Sequence, residues 1–336
     1  MSRMHSEVTE FNEEDYLAAN PDVAAQVRSG VCPSGAEHYA AYGIHENRPL
    51  APYKNVAAES VSVSRRDRIL HGLDVKALEG VEVGALATPL ILHSDGNIFF
   101  IDHADTNALR KKYAADPSVN VENIVEVDAV WGSQTLQECL GQGRRVDYVL
   151  ASHVIEHVPD LVTWLAEIRS VLRPGGTLRL AIPDRRFTFD YLRPESRIYD
   201  VLDAYIRRAR APLPRVIMEN HYLSREVDCV AAWNNQLDPA SLRPYNTVQA
   251  GLTVAKDVLV NGTYHDTHCW VFTPASFADL FIELGRLDLL QFTYDFHFDT
   301  KRNEFEFVVG MSPSSDKESI VASWLRMKNG SGPPRW

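Results

Sequence analysis

DYVLASHVIEHVPDLVTWLAEIRSVLRPGGTLRLAIPD, residues 147–184, decides the fold. Residues 148–151 are a short apolar run without alternation, the pattern of a parallel strand buried on both faces. Asp160 is a helix cap, and Leu161, Trp164, Leu165, Ile168 and Leu172 then recur at i, i+3, i+4, i+7 and i+11 as one apolar stripe. Arg173-Pro174-Gly175-Gly176 predicts the helix stop, because proline cannot continue a helix and glycine accepts positive φ. Leu178, Leu180 and Ile182 alternate into a second strand. A β-α-β unit of this kind puts residues 152–157 and 183–184 at the carboxyl edge of a sheet, where open α/β proteins bind ligands.

Outward from this block the chain reads as a doubly wound α/β order. Val81-Glu82-Val83-Gly84 predicts strand one, 97–102 strand two with a helix over 106–113, and 124–128 strand three. Residues 185–265 are too long for a loop and predict an inserted cap, with helices near 197–210, 225–234 and 246–260. Thr273 as N-cap with Pro274 at the first helical position starts a helix over 275–284. Residues 287–298 and 304–311 predict an antiparallel hairpin at the sheet edge. The expected divisions are a helical module over 1–50, a linker over 51–64, a main domain over 65–311, and a flexible Ser-, Gly- and Pro-rich tail over 312–336. In the module, Tyr16 and Leu17 mark a first helix, Val23 and Val27 a second after the break at Asn20-Pro21-Asp22, and His38, Tyr39 and Tyr42 a third closed by Gly43.

The length of 336 residues suits one large α/β domain with an appendage. A net charge of −11 argues against non-specific nucleic-acid binding and gives no support to a polybasic membrane anchor. Cys32, Cys139, Cys229 and Cys269 form no CxxC pair and read as free thiols of a reducing cytosol. No apolar run reaches membrane-span length, and the polar, acidic N-terminus is unlike a signal peptide, so the expected location is cytoplasmic.

The phrases SHVIEHVPD and LRPGGTLRLAIPD resemble the strand-four and strand-five region of class I S-adenosylmethionine (SAM) dependent methyltransferases. The resemblance covers about 65–310 and is strongest over 97–192 and 262–280. It implies a Rossmann-like doubly wound sheet with an antiparallel edge hairpin, and SAM as cofactor. Glu82 and Gly84 match the family's acidic residue and first glycine, while Ala85, Leu86 and Ala87 depart from its glycine-rich continuation, where backbone must approach the ligand closely. Asp102 ends strand two at the spacing from which an acid reaches ribose hydroxyls, and a carboxylate can accept from both. The resemblance gives the same role to Asp102, beside His103, puts Asp128 and Ala129 at the adenine edge, and flanks the amino-acid part of SAM with Ser152 and His153. NAD fits poorly, since residues 85–89 lack the glycines of a pyrophosphate-binding turn.

His153, Glu156 and His157 also match the H-x-x-E-H pattern of inverted zinc proteases. That reading needs both histidines on one helical face. His153 instead follows a buried strand and Pro159 precedes the helix, so Glu156 and His157 are expected to orient the loop. Residues 264–274, YHDTHCWVFTP, resemble a segment of a methyltransferase subfamily found with glycosyltransferases. His265, Asp266 and His268 fit no standard metal spacing, and no metal is expected. Methyl transfer to a hydroxyl requires in-line positioning and loss of a proton, which suits a histidine. His268 is the first candidate base, His221 in MENHYLSRE the rival, and His153 a third; each fits a purely structural role equally well. Residues 185–191, RRFTFDY, suit either a polar substrate or an anchor for the inserted helices.

The wording FNEEDYLAANPDVAAQV…GAEHYAAYGIHENRPL resembles a repeat of bacterial surface proteins and glycan-assembly enzymes. Together with the subfamily wording it implies polysaccharide biosynthesis: a small-molecule or glycan acceptor methylated on a sugar hydroxyl, and glycan-assembly partners met through residues 8–50. A homodimer is left open. The alternative is a catalytically decayed methyltransferase fold serving as a scaffold, motivated by the missing glycines.

Overall fold

The computed structural model describes residues 11–43, 63–132 and 134–330. It divides into two units, 1–63 and 64–336. In the first, α1 (Glu13–Ala19), α2 (Pro21–Arg28) and α3 (Gly35–His38) are the three expected helices, the last widening into a π turn over Tyr39–Gly43. Asn12 caps α1 by accepting from Asp15 N at 3.0 Å. The Glu13 carboxylate accepts from Gly35 N at 2.6 Å and Ala36 N at 2.8 Å, tying the start of α3 to α1. Tyr16 is buried with its hydroxyl 3.0 Å from His38 Nδ1, so the expected aromatic positions form a small core. Residues 1–10 and 44–50 of the expected module, most of the linker and residues 331–336 of the expected tail lie outside the described residues.

The second unit runs α4 (Arg65–Ile69), β1 (Glu79–Val83), β2 (Asn97–Asp102), α5 (Thr106–Tyr113), β3 (Ala129–Val130), α6 (Leu136–Leu140), β4 (Val146–Ser152), α7 (Leu161–Val171) and β5 (Leu172–Pro183). Then follow α8 (Ile198–Arg207), α9 (Pro214–Leu223), α10 (Cys229–Trp233), α11 (Val248–Asn261), α12 (Pro274–Arg286), β6 (Phe292–Phe298), β7 (Glu306–Pro313) and α13 (Lys317–Gly330). The strands form one seven-stranded sheet in the order β3-β2-β1-β4-β5-β7-β6. The first five are parallel, and β7 inserts antiparallel between β5 and β6. This is a Rossmann-like doubly wound sheet with an antiparallel edge hairpin. Tyr148, Val149, Leu150 and Ala151 are buried, as a central strand covered on both faces requires. Asp160 caps α7 by accepting from Thr163 N at 3.0 Å, and Leu161, Leu165 and Ile168 bury the predicted stripe. Among the described residues, no helix is long and apolar enough to cross a membrane.

Three expectations are corrected. Strand three is not 124–128 but the two residues after it, because Val127 N donates to Thr106 Oγ1 (2.8 Å) and Phe100 N to Asp128 Oδ2 (2.8 Å), side-chain bonds that take amides a longer ladder would use. Residues 173–176 do not separate helix from strand. The chain enters β5 at Leu172, and the pairing jumps from Val146–Leu172 to Tyr148–Thr177, so Pro174 and Gly175 (φ +80°) sit in a bulge. The tail is not flexible over 317–330: α13 buries Ile320, Trp324 and Met327, and Trp324 Nε1 donates to Phe292 O at 2.9 Å. Residues 185–265 are helical as expected, with α9 an addition beginning on Pro214, a residue that can open a helix as well as break one.

Candidate active site

The carboxyl ends of β1, β2 and β4 open onto one cleft of about 1550 Å³. Gly84 follows β1 with φ +69°, and a Cβ there would stand 2.8 Å from Val154 Cγ2. Both backbone angle and space therefore demand glycine where the first and fourth strand ends approach. Leu86 also has positive φ (+48°), so the turn keeps a left-handed step although the sequence offers no second glycine. The Ala85 side chain packs into the core cluster of Leu90, Ile98 and Phe100, so the lost glycine adds little bulk to the cleft. The motive for a decayed cofactor site thereby weakens.

Glu82 does not line the cleft. It is 2 % exposed, and its carboxylate accepts from Leu90 N at 2.9 Å and Ile91 N at 3.4 Å, pinning the far end of the same turn. Burial pushes its pKa up to about 7 against these hydrogen bonds. Asp102 and His103 do line the cleft. Asp102 Oδ1 accepts from His103 N at 2.7 Å and lies 2.6 Å from His103 Nδ1. Asp128 and Ala129 do not reach the cleft: Asp128 Oδ2 accepts from Phe100 N at 2.8 Å, and Ala129 pairs with Ile101. Trp131, which the sequence did not single out, lines that side and stacks on Trp164 at 6.3 Å.

Ser152 and His153 line the cleft at the end of β4. Arg65 Nη2 donates to Ser152 Oγ (2.6 Å) and to Glu306 Oε2 (2.9 Å), while Arg65 Nε donates to Glu306 Oε1 (2.7 Å). His153 has φ +54° and its Nε2 lies 2.8 Å from Glu306 Oε2. Burial opposes its charge, but Glu156 and Glu306 outweigh that and raise its pKa to about 9. Burial likewise opposes charge on Glu306, yet His153 and Arg65 bring it to about 2. His153 is thus an imidazolium in an ion-pair network at neutral pH, which argues against its expected role as base. It also stands apart from His157: a single 3-10 turn, Ile155–His157, separates them from any shared helical face, and the protease geometry is absent.

His157 lines the cleft, with Nδ1 2.7 Å from Asp266 Oδ1, and Lys112 Nζ donates to Asp266 Oδ2 at 3.2 Å. Burial opposes charge on Asp266, but His157 and Lys112 hold it well below the usual carboxylate range. His268 sits behind His157, rings 4.6 Å apart and perpendicular; it is 8 % exposed and outside the cleft wall. Its Nδ1 lies 2.6 Å from Asp190 Oδ2, and Arg193 Nη1 donates to Asp190 Oδ1 at 2.7 Å. Asp190 is the member of 185–191 that the site uses. Cys269 N and Trp270 N donate to Glu156 O (2.6 and 3.1 Å), which brings the two histidine segments together. His221 is elsewhere: its Nδ1 lies 2.9 Å from Ile217 O, and its Cβ packs against Gly251 of α11. As a helix-packing residue outside the cleft it is removed from the candidate bases.

A family described as a methyltransferase domain matches residues 95–286, more than half of the sequence. The chain belongs to this family of SAM-dependent methyltransferase domains, whose cofactor is SAM. Over 103 residues it is 29 % identical to a ubiquinone biosynthesis O-methyltransferase of Methylobacterium sp. (strain 4-46), covering 30 % of this chain and 38 % of that protein. The chain thus spans well under two thirds of the curated relative it matches. Among solved structures it is similar to magnesium protoporphyrin IX methyltransferase from Synechocystis PCC 6803 with bound SAH (11 % identity, 72 % of this chain, 76 % of that one, TM-score 0.31). A SAM-dependent methyltransferase from Mesorhizobium loti is similar at 11 % identity over 71 % of this chain and 92 % of that one, with a TM-score of 0.34. The residues present fit the cofactor: Gly84 keeps open a gap that a Cβ would fill, and no described residue is hydrogen-bonded to Asp102 Oδ2.

Proposed function

We propose that this protein methylates a hydroxyl of a small polar acceptor, a sugar or surface-glycan intermediate, at the cleft beside His157. One observation carries the reading: the strand ends that fit the cofactor and the His157–Asp266 pair open into the same cleft. Its volume of about 1550 Å³ exceeds the roughly 300–1,000 Å³ of a cleft for one small molecule, leaving space for an acceptor beside the cofactor. When bound, SAM supplies an electrophilic methyl on a sulfonium and leaves as the neutral thioether. The chain's residues orient the two molecules and take the acceptor's proton. Asp102 is the hydrogen-bond acceptor for a ribose diol, and Gly84 sets how closely backbone approaches the cofactor. The acceptor oxygen must lose its proton as its bond to the methyl carbon forms, and the histidine cluster at His157 is where the cleft offers a group for that.

A sugar is favoured by aromatic side chains, Tyr205, Tyr264 and Trp131, interleaved with Asp266, Glu304 and Arg208 along the walls. Flat apolar faces suit the C–H side of a sugar and carboxylates suit its hydroxyls. We read the N-terminal unit as the contact to glycan-assembly partners. The test is calorimetric titration of the full chain with S-adenosylhomocysteine, beside Asp102→Ala, then labelled-methyl transfer to nucleotide sugars, glycans and phenols. Binding that Asp102→Ala weakens at least tenfold, with label appearing on a sugar, is the expected result. Absence of binding to folded wild-type protein overturns the enzyme reading; transfer to phenols alone overturns the sugar.

A further inference from the structure

Glu156 is fully buried, and neither of its carboxylate oxygens has a hydrogen-bond partner. A carboxylate stripped of water and hydrogen bonds is expensive, and its nearest cation, the His153 imidazolium, stands 3.5 Å from Oε1 without a hydrogen bond. Two imidazole nitrogens face it: His157 Nε2 at 3.9 Å and His268 Nε2 at 4.0 Å from Oε1. These spacings are too long for hydrogen bonds. They stand at the wide limit for two donors sharing an ion, since ligand atoms each about 2.1 Å from a metal are at most about 4.2 Å apart, so the three draw inward by a few tenths of an ångström when it binds. One ligand atom from each of Glu156, His157 and His268 lies within 4.8 Å of the others.

The other nitrogen of each ring faces a carboxylate. His268 Nδ1 is hydrogen-bonded to Asp190 at 2.6 Å, and His157 Nδ1 lies 2.7 Å from Asp266 as an ion-pair contact outside hydrogen-bond geometry. Those carboxylates are held in turn by Lys112 (3.2 Å) and Arg193 (2.7 Å). A carboxylate on Nδ1 keeps the proton there and leaves the Nε2 lone pair for a metal, the outer-shell pattern of histidine metal sites. His153 Nδ1, 3.5 Å from Glu156, is the remaining nearby imidazole, and its far nitrogen is committed to Glu306.

We infer that Glu156, His157 and His268 form a divalent transition-metal site on the wall of the cleft. Two imidazoles and one carboxylate suit an ion such as Zn²⁺ or Co²⁺ better than Mg²⁺ or Ca²⁺, which prefer oxygen ligands. Because His157 lines the cleft while Glu156 and His268 lie behind it, open coordination positions would face the acceptor. An ion there lowers the pKa of an acceptor hydroxyl, so that its proton can pass to water in the open cleft rather than to a histidine. That role rests on the proposed methyl transfer; the existence of the site does not. The sequence hid it because the ligands come from a 3-10 turn after β4 and from the segment before α12, which are distant in the chain and meet only in the fold, where Cys269 N and Trp270 N donate to the Glu156 carbonyl.

The test is Co²⁺ titration of the chelator-stripped full chain, without SAM or acceptor, followed by visible absorption and checked by Zn²⁺ competition. One Co²⁺ per chain is expected. Glu156→Gln and His268→Gln should weaken binding at least 100-fold and Asp190→Asn by 10–100-fold, with His221→Gln unchanged. Thermal melts establish folding, and His157→Asn, at the cleft surface, serves if the buried variants fail to fold. Folded wild type that binds no Co²⁺, or binds it as tightly when Glu156 or His157 is replaced, overturns the site. Cofactor binding is read separately by S-adenosylhomocysteine titration, so either conclusion can fail while the other stands.

Discussion

Glu82 and Gly84, two residues apart, do different work at the same turn. Gly84 gives the backbone a conformation and a clearance that a side chain would remove, while Glu82 holds the turn from inside the core. Gly84→Ala is expected to cost about 1–2 kcal/mol of stability for the left-handed backbone and to weaken S-adenosylhomocysteine binding roughly tenfold, read by denaturant unfolding and calorimetry. Glu82 makes stability depend on pH. Its pKa of about 7 in the fold, against the ordinary 4.5, means that the folded protein holds an extra proton between those values. Its contribution is complete below pH 4.5 and is lost as pH rises through 7, a difference of about 3 kcal/mol. Glu82→Gln is neutral throughout, so the stability advantage of wild type over this variant should shrink by about that amount between pH 4.5 and 8 in urea titrations. A constant difference would show that the carboxyl titrates normally. The place of Asp102 on the cleft wall was legible because a strand end fixes where its side chain must go. Asp128 was misplaced because its carboxylate turned to the β2 backbone, a choice its own segment does not encode.

Elements with local signals came out where they were expected. β2 and α5 match their predicted spans, and α7 begins at its Asp160 cap. α13 escaped because its sequence carries weak apolar periodicity and follows a Ser- and Pro-containing stretch. What makes it a helix is the surface it covers: Trp324 packs on Phe281 at 4.7 Å and on Phe277 at 5.8 Å, both in α12. Trp324→Ala is expected to cost about 3–5 kcal/mol, from lost burial and the cavity left, measured by denaturant unfolding. A loss under about 1 kcal/mol would mean that α13 contributes little to the domain. β3 failed for the opposite reason. Its apolar residues promise a strand, but Thr106 and Asp128 side chains take the backbone partners that a ladder would need.

At the scale of the molecule, every described residue lining the cleft belongs to the unit from 64 to 336. A chain beginning at residue 64 should therefore bind S-adenosylhomocysteine within about twofold of the full protein, by calorimetry; a larger loss would make the first unit part of the cofactor site. The sequence by itself determined the sheet class, the span of β2, the capped helix between β4 and β5, and the place of Asp102 at a strand end, because each depends on periodicity, capping and strand ends within a few residues. The tertiary structure alone decided what the histidines do. It drew His268 and Glu156 together through two amide hydrogen bonds, moved His221 into a helix contact and tied His153 to Glu306. Such assignments turn on which distant side chains share one buried volume. Desolvation and charge pairing act across that volume, and no local pattern in the chain records them.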